Sequence, residues 1–232
     1  SSDGTPDLVA EKFPQVKLIV SETNVGFAGG NNLALREIGF GNQGADAKLP
    51  RAVYLLNPDT ITRPSATRAL YDTLMAESAL GVVGARLSYG DGNFQHSAFR
   101  FPGLRQLWVE LFPTPGRLID SAFNGRYDRA LYNENDPFEI DFPLGATMML
   151  KREVVQATGI FDEAFFMYCE EVDWAWRIRD AGWKIKCVPQ ARVVHLVGQS
   201  TSQVKARSVL NLWTSRLLLF RKHYPGWKLA IA

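Results

Sequence analysis

Cysteine is scarce in this chain of 232 residues, and long apolar runs are absent. The two cysteines, Cys169 and Cys187, lack metal-ligand spacing and lie in apolar segments, so we expect reduced core thiols of a cytosolic protein. A disulfide between them is the less favoured alternative. No run of 18 uninterrupted apolar residues occurs, and no charged-then-apolar leader opens the sequence. The sequence therefore predicts neither a membrane-spanning helix nor an export signal.

Acidic residues are missing after Asp180, although nine basic residues follow it. The first 180 residues carry 17 basic and 24 acidic side chains, a net charge of −7, whereas the whole chain carries +2. This split suggests that the carboxyl-terminal end faces an anionic partner, such as a phosphorylated substrate or a membrane surface. A solvated basic face is the alternative, and no nucleic-acid partner is predicted.

The first half of the chain alternates between apolar runs typical of buried strands and segments with helical spacing. The predicted strands are Val16 to Val20, Ala52 to Leu56 and Leu80 to Leu87, and the predicted helices are residues 6–14, 30–38 and 62–77. This alternation favours an α/β fold with a mostly parallel sheet flanked by helices. The overall composition, 46% hydrophobic and 22% charged, is that of an ordinary globular domain.

The second half begins with residues 88–141, which lack clean periodicity and are interpreted as an irregular insertion or lid. Order returns with a predicted strand over 142–150, helices over 152–158 and 170–181, and two short strands over 183–188 and 191–196. A basic amphipathic helix is predicted from Gln203 to His223. We therefore expect one main domain, residues 1–202, followed by a helical carboxyl-terminal region, residues 203–232.

Polar residues follow two of the apolar runs. Asn57-Pro58-Asp59 comes directly after the predicted strand that ends at Leu56, and ligands of open parallel sheets bind outside the carboxyl ends of strands. Asp59 is therefore a candidate ligand for Mg²⁺ or Mn²⁺, because these hard cations combine a carboxylate with substrate phosphate oxygens. His195 ends another apolar run and is a candidate second ligand as a neutral imidazole. The alternatives are an ordinary Asn-Pro-Asp turn and a structural histidine.

Three carboxylates lie within one predicted helical turn, at Glu170, Glu171 and Asp173. Glu170 and Asp173 share a face, while Glu171 points elsewhere. Aromatic residues surround this turn, and carboxylates among apolar groups have raised pKa values suited to a general base. The alternative is a helix amino terminus whose acids are favoured by the helix dipole.

A glycine-rich loop runs from Asn24 to Asn32 and leads into a predicted helix. Its amides are candidates to line a phosphate or sugar pocket. The loop lacks the Gly-x-Gly-x-x-Gly order of a dinucleotide site and the Lys-Ser/Thr of a P-loop, so both of those sites are set aside.

Taken together, these segments resemble a family 2 glycosyltransferase with the GT-A fold, of the branch that includes rhamnosyltransferases of bacterial polysaccharide assembly. The resembling segments run in family order: Ser2 to Thr5, Asn24 to Asn32, Leu56 to Asp59, Leu144 to Ala146, Gly159 to Tyr168, Glu170 to Asp173, Arg177, Ala181 to Trp183, Pro189 and His195. The stretch from Gly159 to Gly182 is the most specific part.

The resemblance implies an inverting transfer of a sugar from a nucleotide-sugar donor to an acceptor hydroxyl. It places metal ligands at Asp59 and His195, and the catalytic base at Glu171, where relatives usually have Asp. Asp173 and Arg177 complete the catalytic group as a supporting pair on the same helix. The implied substrate-binding residues are Asp3, Asn24, Gly29, Asn32, Asn57, Gly145 and Glu170.

Two departures from the family pattern bear on this resemblance. Asn57 stands at the first Asp of the metal-binding Asp-x-Asp motif, which leaves one charged ligand fewer. The resemblance also implies two strands ahead of Ser2 to Thr5, and this sequence does not contain them, so an amino-terminally incomplete GT-A domain is expected.

The leading hypothesis is a metal-dependent rhamnosyltransferase-like enzyme at the cytoplasmic face of the membrane, using a dTDP- or UDP-sugar and a glycan or polyprenyl-linked acceptor. The apolar side chains of its last helix would then contact lipid, namely Trp213, Leu217, Leu218, Leu219 and Phe220. Packing of that helix on its own domain is the alternative. A non-catalytic nucleotide- or sugar-binding module of the same fold is the second functional hypothesis, and a nucleotidyltransferase is a third.

Overall fold

The computed structural model describes residues 3–41, 49–197 and 205–231. Its helices are α1 (Thr5–Lys12), α2 (Gly26–Glu37), α3 (Ala66–Ala76), α4 (Leu104–Leu111), α5 (Gly116–Ile119), α6 (Arg152–Thr158), α7 (Glu170–Asp180), α8 (Lys205–His223) and α9 (Gly226–Ile231). Its strands are β1 (Ala52–Leu56), β2 (Thr60–Thr62), β3 (Leu80–Ser88), β4 (Phe94–Gln95), β5 (Ala98–Phe99), β6 (Phe138–Glu139), β7 (Phe142–Pro143), β8 (Thr147–Lys151) and β9 (Lys184–His195). The predicted α/β class is confirmed.

The main sheet has the strand order β1-β8-β3-β9-β2, with β4 added to β3 and β6 added to β9. Among the described strands, β3 and β9 form the one parallel pair, and the other pairs are antiparallel. The expectation of a mostly parallel sheet is therefore wrong. Strand–helix alternation predicts parallel neighbours in chain order, but β8 enters from the second half of the chain and lies antiparallel between β1 and β3.

Strand β9 corrects the prediction of two short strands. It is one strand of 12 residues, and its register against β3 shifts between Val188 and Arg192. Pro189 lies within the shifted part, and proline cannot donate a ladder hydrogen bond. The irregularity therefore interrupts the apolar pattern without ending the strand.

Two further strand predictions are corrected. Val16 to Val20 has no strand structure, and it is exposed, because no described strand pairs with it. Residues 142–150 are divided by a turn over Leu144 to Ala146 into β7 and β8. That turn becomes part of the candidate site described below.

The core lies on both faces of the sheet. On one face, Leu70 and Leu74 of α3 pack with Val83 of β3. On the other face, α2, α6 and α7 pack with Val82 of β3, and Trp174 of α7 is fully buried there. Adjacent β3 residues point to opposite faces, so a continuous apolar run fits a strand covered on both sides. Both cysteines are free and buried, as predicted.

The segment over residues 88–141 is broken into short strands and helices but is anchored to the core. Tyr132 is buried, its hydroxyl accepts a hydrogen bond from the Ala98 amide at 3.0 Å, and its carbonyl accepts one from Arg86 at 2.6 Å. These contacts fix the segment beside the carboxyl-terminal half of β3.

Helix α8 packs partly on this domain, because Leu219 and Phe220 are buried. The expectation that these two side chains contact lipid is therefore wrong. The predicted boundary between residues 202 and 203 lies outside the described residues. Among the described helices, none combines the length and apolarity that crossing a bilayer requires.

Candidate active site

The turn after β1 presents Asp59 at the carboxyl edge of the sheet. The Asn57 amide donates to the Ala146 carbonyl at 3.0 Å, and the Asn57 carbonyl accepts hydrogen bonds from the amide and hydroxyl of Thr60 at 3.2 and 2.7 Å. The next strand, β2, pairs with β9, where Thr60 lies opposite His195. The backbone thus holds Asn57 in place, and the turn aims Asp59 towards the end of β9.

Asp59 and His195 lie together at that edge. Their Oδ1 and Nε2 atoms are 3.4 Å apart, and the Leu196 amide donates to the Asp59 carbonyl at 2.9 Å. His195 is 8% exposed, and burial lowers the pKa of its imidazole while the neighbouring Asp59 charge opposes that effect. A neutral imidazole beside a carboxylate is a suitable donor pair for Mn²⁺ or Mg²⁺.

The donor set fits a cation that also binds substrate oxygens. Within the described ranges, no group of three or more His, Cys, Asp or Glu side chains is placed to hold a metal by itself. Mg²⁺ sites of phosphate-transfer enzymes commonly use one or two protein ligands and complete the coordination with phosphate and water. Asp59 and His195 match that pattern.

Helix α7 begins at an unusual backbone bend that carries the two glutamates. Tyr168 and Cys169 have φ angles of 71° and 66°, in the left-handed region that non-glycine residues seldom adopt. The helix then starts at Glu170. Part of the Glu171 residue reaches solvent, whereas Glu170 is buried.

Neither glutamate has all its carboxylate oxygens satisfied. The Oε2 atoms of Glu170 and Glu171 are buried and lack a hydrogen-bond partner among the described residues. Burial raises the pKa of both carboxyls, and the Glu171 charge raises that of Glu170 further. The pair therefore retains a proton at a pH where ordinary carboxyls are ionised.

The turn between β7 and β8 connects the two groups of acidic residues. A Cβ atom at Gly145 would lie 3.7 Å from Cβ and Cγ of Glu171 and 3.7 Å from Cζ of Phe27. The next residue, Ala146, accepts the hydrogen bond from Asn57. One short turn thus hydrogen-bonds to the Asp59 loop and lies beside the Glu171 side chain.

A cavity of about 890 Å³ forms an open cleft bordered by the start of α1 and by residues 18–26. Asn24 lines it and accepts a hydrogen bond from the Gly26 amide at 3.0 Å. A side chain at Gly26, whose φ is +74°, would overlap the Phe166 carbonyl. That carbonyl accepts from the Phe27 amide at 2.9 Å, so Phe27 connects the cleft to Gly145.

Asp3 lies near the entrance of this cleft. Its carboxylate is exposed and accepts a hydrogen bond from the Thr5 amide at 3.1 Å, and Thr5 lines the cleft. Ser2, the first residue of the motif, lies outside the described residues.

Two predicted substrate-binding residues are buried in this structure. Asn32 is fully buried, and its amide donates to Phe161 and Glu163 and accepts from the Phe161 backbone at 2.8–3.1 Å. Gly29 is buried within α2. Asn32 thus fastens α2 to the loop before α7, and the assignment of both residues to substrate binding stays a prediction.

Asp173 and Arg177 are held together inside the protein. Asp173 is 0% exposed and is bound by Arg177 at 3.0 Å, Lys222 at 2.8 Å and His223 at 2.7 Å. Burial alone would raise its pKa, but the hydrogen bonds from His223 and Lys222 and the Arg177 charge outweigh burial and hold the pKa at about 2. Arg177 also donates to the carbonyls of Thr158 and Ile160.

The assignment of Asp173 and Arg177 to the catalytic group as a supporting pair stays a prediction, and in this structure the two form an ion pair within α7. Sequence reasoning missed two partners of Asp173, Lys222 and His223, because they belong to a basic helix end that looks like a solvated charge run. It also missed Gln95, whose Nε2 lies 3.2 Å from Nδ1 of His195. Gln95 comes from the irregular segment, where no periodic signal marks it.

Two known proteins are similar to this chain in sequence. The chain is 28% identical over 233 residues to an N-acetylglucosaminyl-diphospho-decaprenol L-rhamnosyltransferase of Mycobacterium tuberculosis, an alignment that covers 98% of this chain and 74% of that protein. It is 27% identical over 165 residues to the low-salt glycan biosynthesis hexosyltransferase Agl10 of Haloferax volcanii, covering 71% of this chain and 46% of that protein. No protein-family model matches the chain.

Two solved structures share the fold. The mannosyltransferase PcManGT from Pyrobaculum calidifontis, in complex with GDP-Man and Mn²⁺, superposes with a TM-score of 0.56 at 18% identity, over 95% of this chain and 52% of that one. GalNAc-T7 with UDP, GalNAc and Mn²⁺ gives 0.55 at 15% identity, over 84% of this chain and 35% of that one. The chain has the GT-A fold.

The expected resemblance to rhamnosyltransferase-like GT-A glycosyltransferases is confirmed. Its relatives are glycosyltransferases, and this supports the same general activity for the chain. The chain spans about half or less of the two solved GT-A chains, so their bound ligands describe those proteins alone.

Proposed function

We propose that this chain is an inverting family 2 glycosyltransferase that moves a sugar, with rhamnose as the first candidate, from a dTDP- or UDP-sugar to a polyprenyl-linked glycan. The observation that carries the proposal is the position of the Leu144 to Ala146 turn, which accepts a hydrogen bond from Asn57 of the Asp59 loop and lies beside Glu171 at Gly145. In this proposal the diphosphate of the donor lies on the Asp59 side of the turn and the catalytic base lies on the Glu171 side. Direct displacement at an anomeric carbon needs these two groups on either side of the reacting carbon.

Glu171 is the proposed base. Part of the Glu171 residue reaches solvent, whereas Glu170 is buried, so we assign the side that meets the acceptor to Glu171. We assign the retained proton of the pair to Glu170, which leaves Glu171 ionised. The acceptor hydroxyl gives its proton to Glu171 while its oxygen bonds to the anomeric carbon, and the bond from that carbon to the diphosphate breaks.

Asp59 and His195 are the proposed ligands of Mg²⁺ or Mn²⁺. When bound, such a cation neutralises charge on the departing nucleoside diphosphate. The chain's own contribution is to fix the Asp59 carboxylate through the Asn57 and Thr60 hydrogen bonds and to hold His195 on β9. Asn24 lines the cleft in which we place the donor, Asp3 accepts a hydrogen bond from Thr5 of that cleft, and we place Gly145 near the reacting centre.

The relative named as a rhamnosyltransferase acts on a diphospho-decaprenol-linked sugar, which suggests a lipid-linked acceptor here. Cell-surface polysaccharide assembly at the inner, cytoplasmic face of the membrane is the setting that we propose. A peripheral membrane contact belongs to that setting.

Two measurements test this proposal. Isothermal titration with dTDP and UDP should show binding with Mn²⁺ that is lost with EDTA and in Asp59→Asn. A transfer assay with a dTDP- or UDP-sugar and a diphosphate-linked N-acetylglucosamine acceptor should then show turnover. Metal-dependent binding without turnover for any donor would favour a non-catalytic nucleotide-binding module, and absence of both in a folded sample would overturn the proposal.

A further inference from the structure

One side of α8 exposes apolar residues. Leu210, Trp213 and Leu217 are 36–66% exposed and follow one another at helical spacing. The opposite side carries Ser215 and Leu219, which are buried against the domain. A helix that packs on its own domain normally turns its polar side to water, so α8 has an apolar stripe where charged residues are expected.

Helix α4 adds a second apolar group beside this stripe. Trp108, Leu111 and Phe112 are about half exposed, and the rings of Trp108 and Phe112 stack with centroids 4.3 Å apart. Arg216 lies next to Trp213 on α8, with its guanidinium 5.5 Å from the indole centroid, and forms an ion pair with Glu110 of α4. That ion pair holds the two helices together.

We call six residues the aromatic face: Trp108 and Leu111 of α4, Phe112 directly after α4, and Leu210, Trp213 and Leu217 of α8. Exposed apolar groups on two helices that an ion pair joins indicate an interaction site. Tryptophan is the residue type enriched where an apolar phase meets water, because its ring is apolar and its N–H is polar.

The charges around the aromatic face identify the partner. Exposed Arg207 and Arg221 lie on α8 and exposed Arg105 lies on α4, while no acidic residue occurs anywhere after Asp180. A second copy of the chain would bring an equally basic face and would be repelled. A nucleic acid offers little apolar surface for aliphatic side chains such as Leu210 and Leu217 to contact. Cations that flank exposed apolar residues match an anionic lipid surface.

The inner side of α8 is fastened to the candidate active site. The Ser215 hydroxyl donates to the Met167 carbonyl at 2.8 Å, in the loop before α7. Lys222 and His223 bind Asp173, two residues beyond Glu171. The helix that presents the aromatic face is therefore the one that steadies the glutamate-bearing helix.

We propose that the aromatic face docks the protein on an anionic bilayer and so brings Glu171 to the surface where a lipid-linked acceptor would lie. The purpose of this docking rests on the proposed function, but the docking itself does not require turnover. Insertion is shallow, with the rings at the level of the lipid headgroups and the arginines against phosphates.

Vesicle flotation tests the docking. The wild type should float with vesicles of phosphatidylcholine containing 30% phosphatidylglycerol, less with phosphatidylcholine alone, and less at high salt. Partitioning of the Trp108→Ser/Trp213→Ser variant should fall by about tenfold or more, because each substitution removes an indole ring and its apolar area from contact with lipid. Phe13→Ser is the matched control, since Phe13 is similarly exposed outside the aromatic face.

The outcomes separate this inference from the proposed function. Equal flotation of wild type and double variant, or no flotation of either, would overturn the docking. A wild-type dimer in sedimentation that the double variant abolishes would show a self-interface and also overturn it. Transfer to a water-soluble acceptor analogue should persist in the double variant, and its loss in the wild type would count against the proposed function alone. Circular dichroism melts check that both variants fold.

An independent observation concerns Gln95 on β4. Gln95 is 7% exposed, its Nε2 lies 3.2 Å from Nδ1 of His195, and its Oε1 is buried without a partner among the described residues. Nothing in that part of the chain therefore fixes which end of the amide faces the imidazole. Glutamine offers a donor and an acceptor of nearly the same shape.

The two amide orientations select different forms of His195. With the NH₂ group towards Nδ1, the ring proton sits on Nε2 and faces Asp59. With the carbonyl oxygen towards Nδ1, the ring proton sits on Nδ1, and the free electron pair of Nε2 faces Asp59. We infer that Gln95 is a positioning residue that supports His195 in both forms, the second being the one that binds a cation.

Electron paramagnetic resonance titration of Mn²⁺, with excess nucleoside diphosphate, tests this role without turnover. Gln95→Leu should weaken Mn²⁺ binding by about 10- to 100-fold. Gln95→Glu should restore or tighten it, because a carboxylate accepts only and holds the proton on Nδ1. Gln106→Leu on α4 is the control. Unchanged Mn²⁺ affinity in Gln95→Leu, or equal losses in Gln95→Leu and Gln95→Glu, would overturn the inference.

Discussion

Two carboxylates on the first turn of α7, Glu171 and Asp173, lie two residues apart and have opposite surroundings. Asp173 is fully enclosed and bound by Arg177, Lys222 and His223, whose hydrogen bonds and charges outweigh burial and hold its pKa at about 2. Glu171 has a buried oxygen without a described partner, and burial raises its pKa. One helical turn thus carries a carboxylate locked in its charged form and another that can take up a proton.

The difference separates a structural acid from a chemical one. A carboxylate saturated with cations cannot accept a proton near neutral pH, but it can tie three segments together. A carboxyl with an unsatisfied oxygen contributes little to stability and is ready for proton transfer. The same sequence motif therefore contains both the proposed base and the anchor that orients its helix.

The largest expected effect is that of Glu171→Gln on turnover. We expect kcat to fall by about 1,000-fold, because the base is removed and little volume changes. Nucleotide and Mn²⁺ binding should stay within about twofold, as measured by titration calorimetry.

Glu170→Gln is the matched control, since it replaces a carboxyl that we assign as protonated. It should retain turnover within about tenfold. A larger loss of turnover in Glu170→Gln than in Glu171→Gln would mean that Glu170, and not Glu171, is the base.

The next effect is that of Asp173→Asn on stability. The drop in the Asp173 pKa from 3.8 to about 2 corresponds to about 2–3 kcal/mol, and this amount should be lost from the free energy of unfolding in urea at neutral pH. Asp180→Asn, at the exposed end of the same helix, should change stability by less than about 0.5 kcal/mol.

The sign of the pH effect follows from the lowered pKa. The stabilisation by Asp173 is fully present above its unfolded-state pKa near 3.8 and is lost as the pH falls towards about 2. The stabilities of wild type and Asp173→Asn should therefore converge in acid. Parallel stability curves down to pH 2 would contradict the cationic clamp on Asp173.

A third effect concerns the pH dependence of kcat. Turnover should fall about tenfold per pH unit on the acid side, with the midpoint above the ordinary glutamate pKa of 4.5, because burial raises the Glu171 pKa. Asp173→Asn should leave that midpoint in place, since Asp173 stays ionised throughout the range. A midpoint that moves in Asp173→Asn would mean that the two carboxylates titrate together.

The sequence predicts the Glu171 side of this comparison better than the Asp173 side. The apolar runs of β1 and β3 and the helical spacing of α7 are local signals, and Asp59, His195 and Glu171 stand at the ends of such elements. The partners of Asp173 and the Gln95 contact depend instead on how α8 and the irregular segment fold back over long chain distances. No local periodicity encodes those contacts.

The direction of β8 is not predictable from the sequence for the same reason. The alternation of strands with helices indicates an α/β sheet, but it does not reveal that β8 inserts antiparallel between β1 and β3. Val16 to Val20 has the composition of a strand, yet a strand also needs a paired neighbour, and the described residues provide none. The burial of Asn32 is likewise not encoded in the glycine-rich motif that contains it.

The smallest expected effect is that of replacing Lys222, which is one of the three partners of Asp173. Lys222 is about one-third exposed and is shared between Asp173 and Asp162, both at 2.8 Å. Its ion pairs are therefore partly screened by solvent, and His223 and Arg177 remain on Asp173 when Lys222 is replaced.

Lys222→Gln should therefore lower the free energy of unfolding by about 0.5–1 kcal/mol, well below the loss in Asp173→Asn, and should leave the acid midpoint of kcat unchanged. Urea unfolding of the two single variants and of the double variant measures the coupling between these residues. A loss in Lys222→Gln as large as that in Asp173→Asn would mean that Lys222, and not His223 with Arg177, is the main cation holding Asp173 in its charged form.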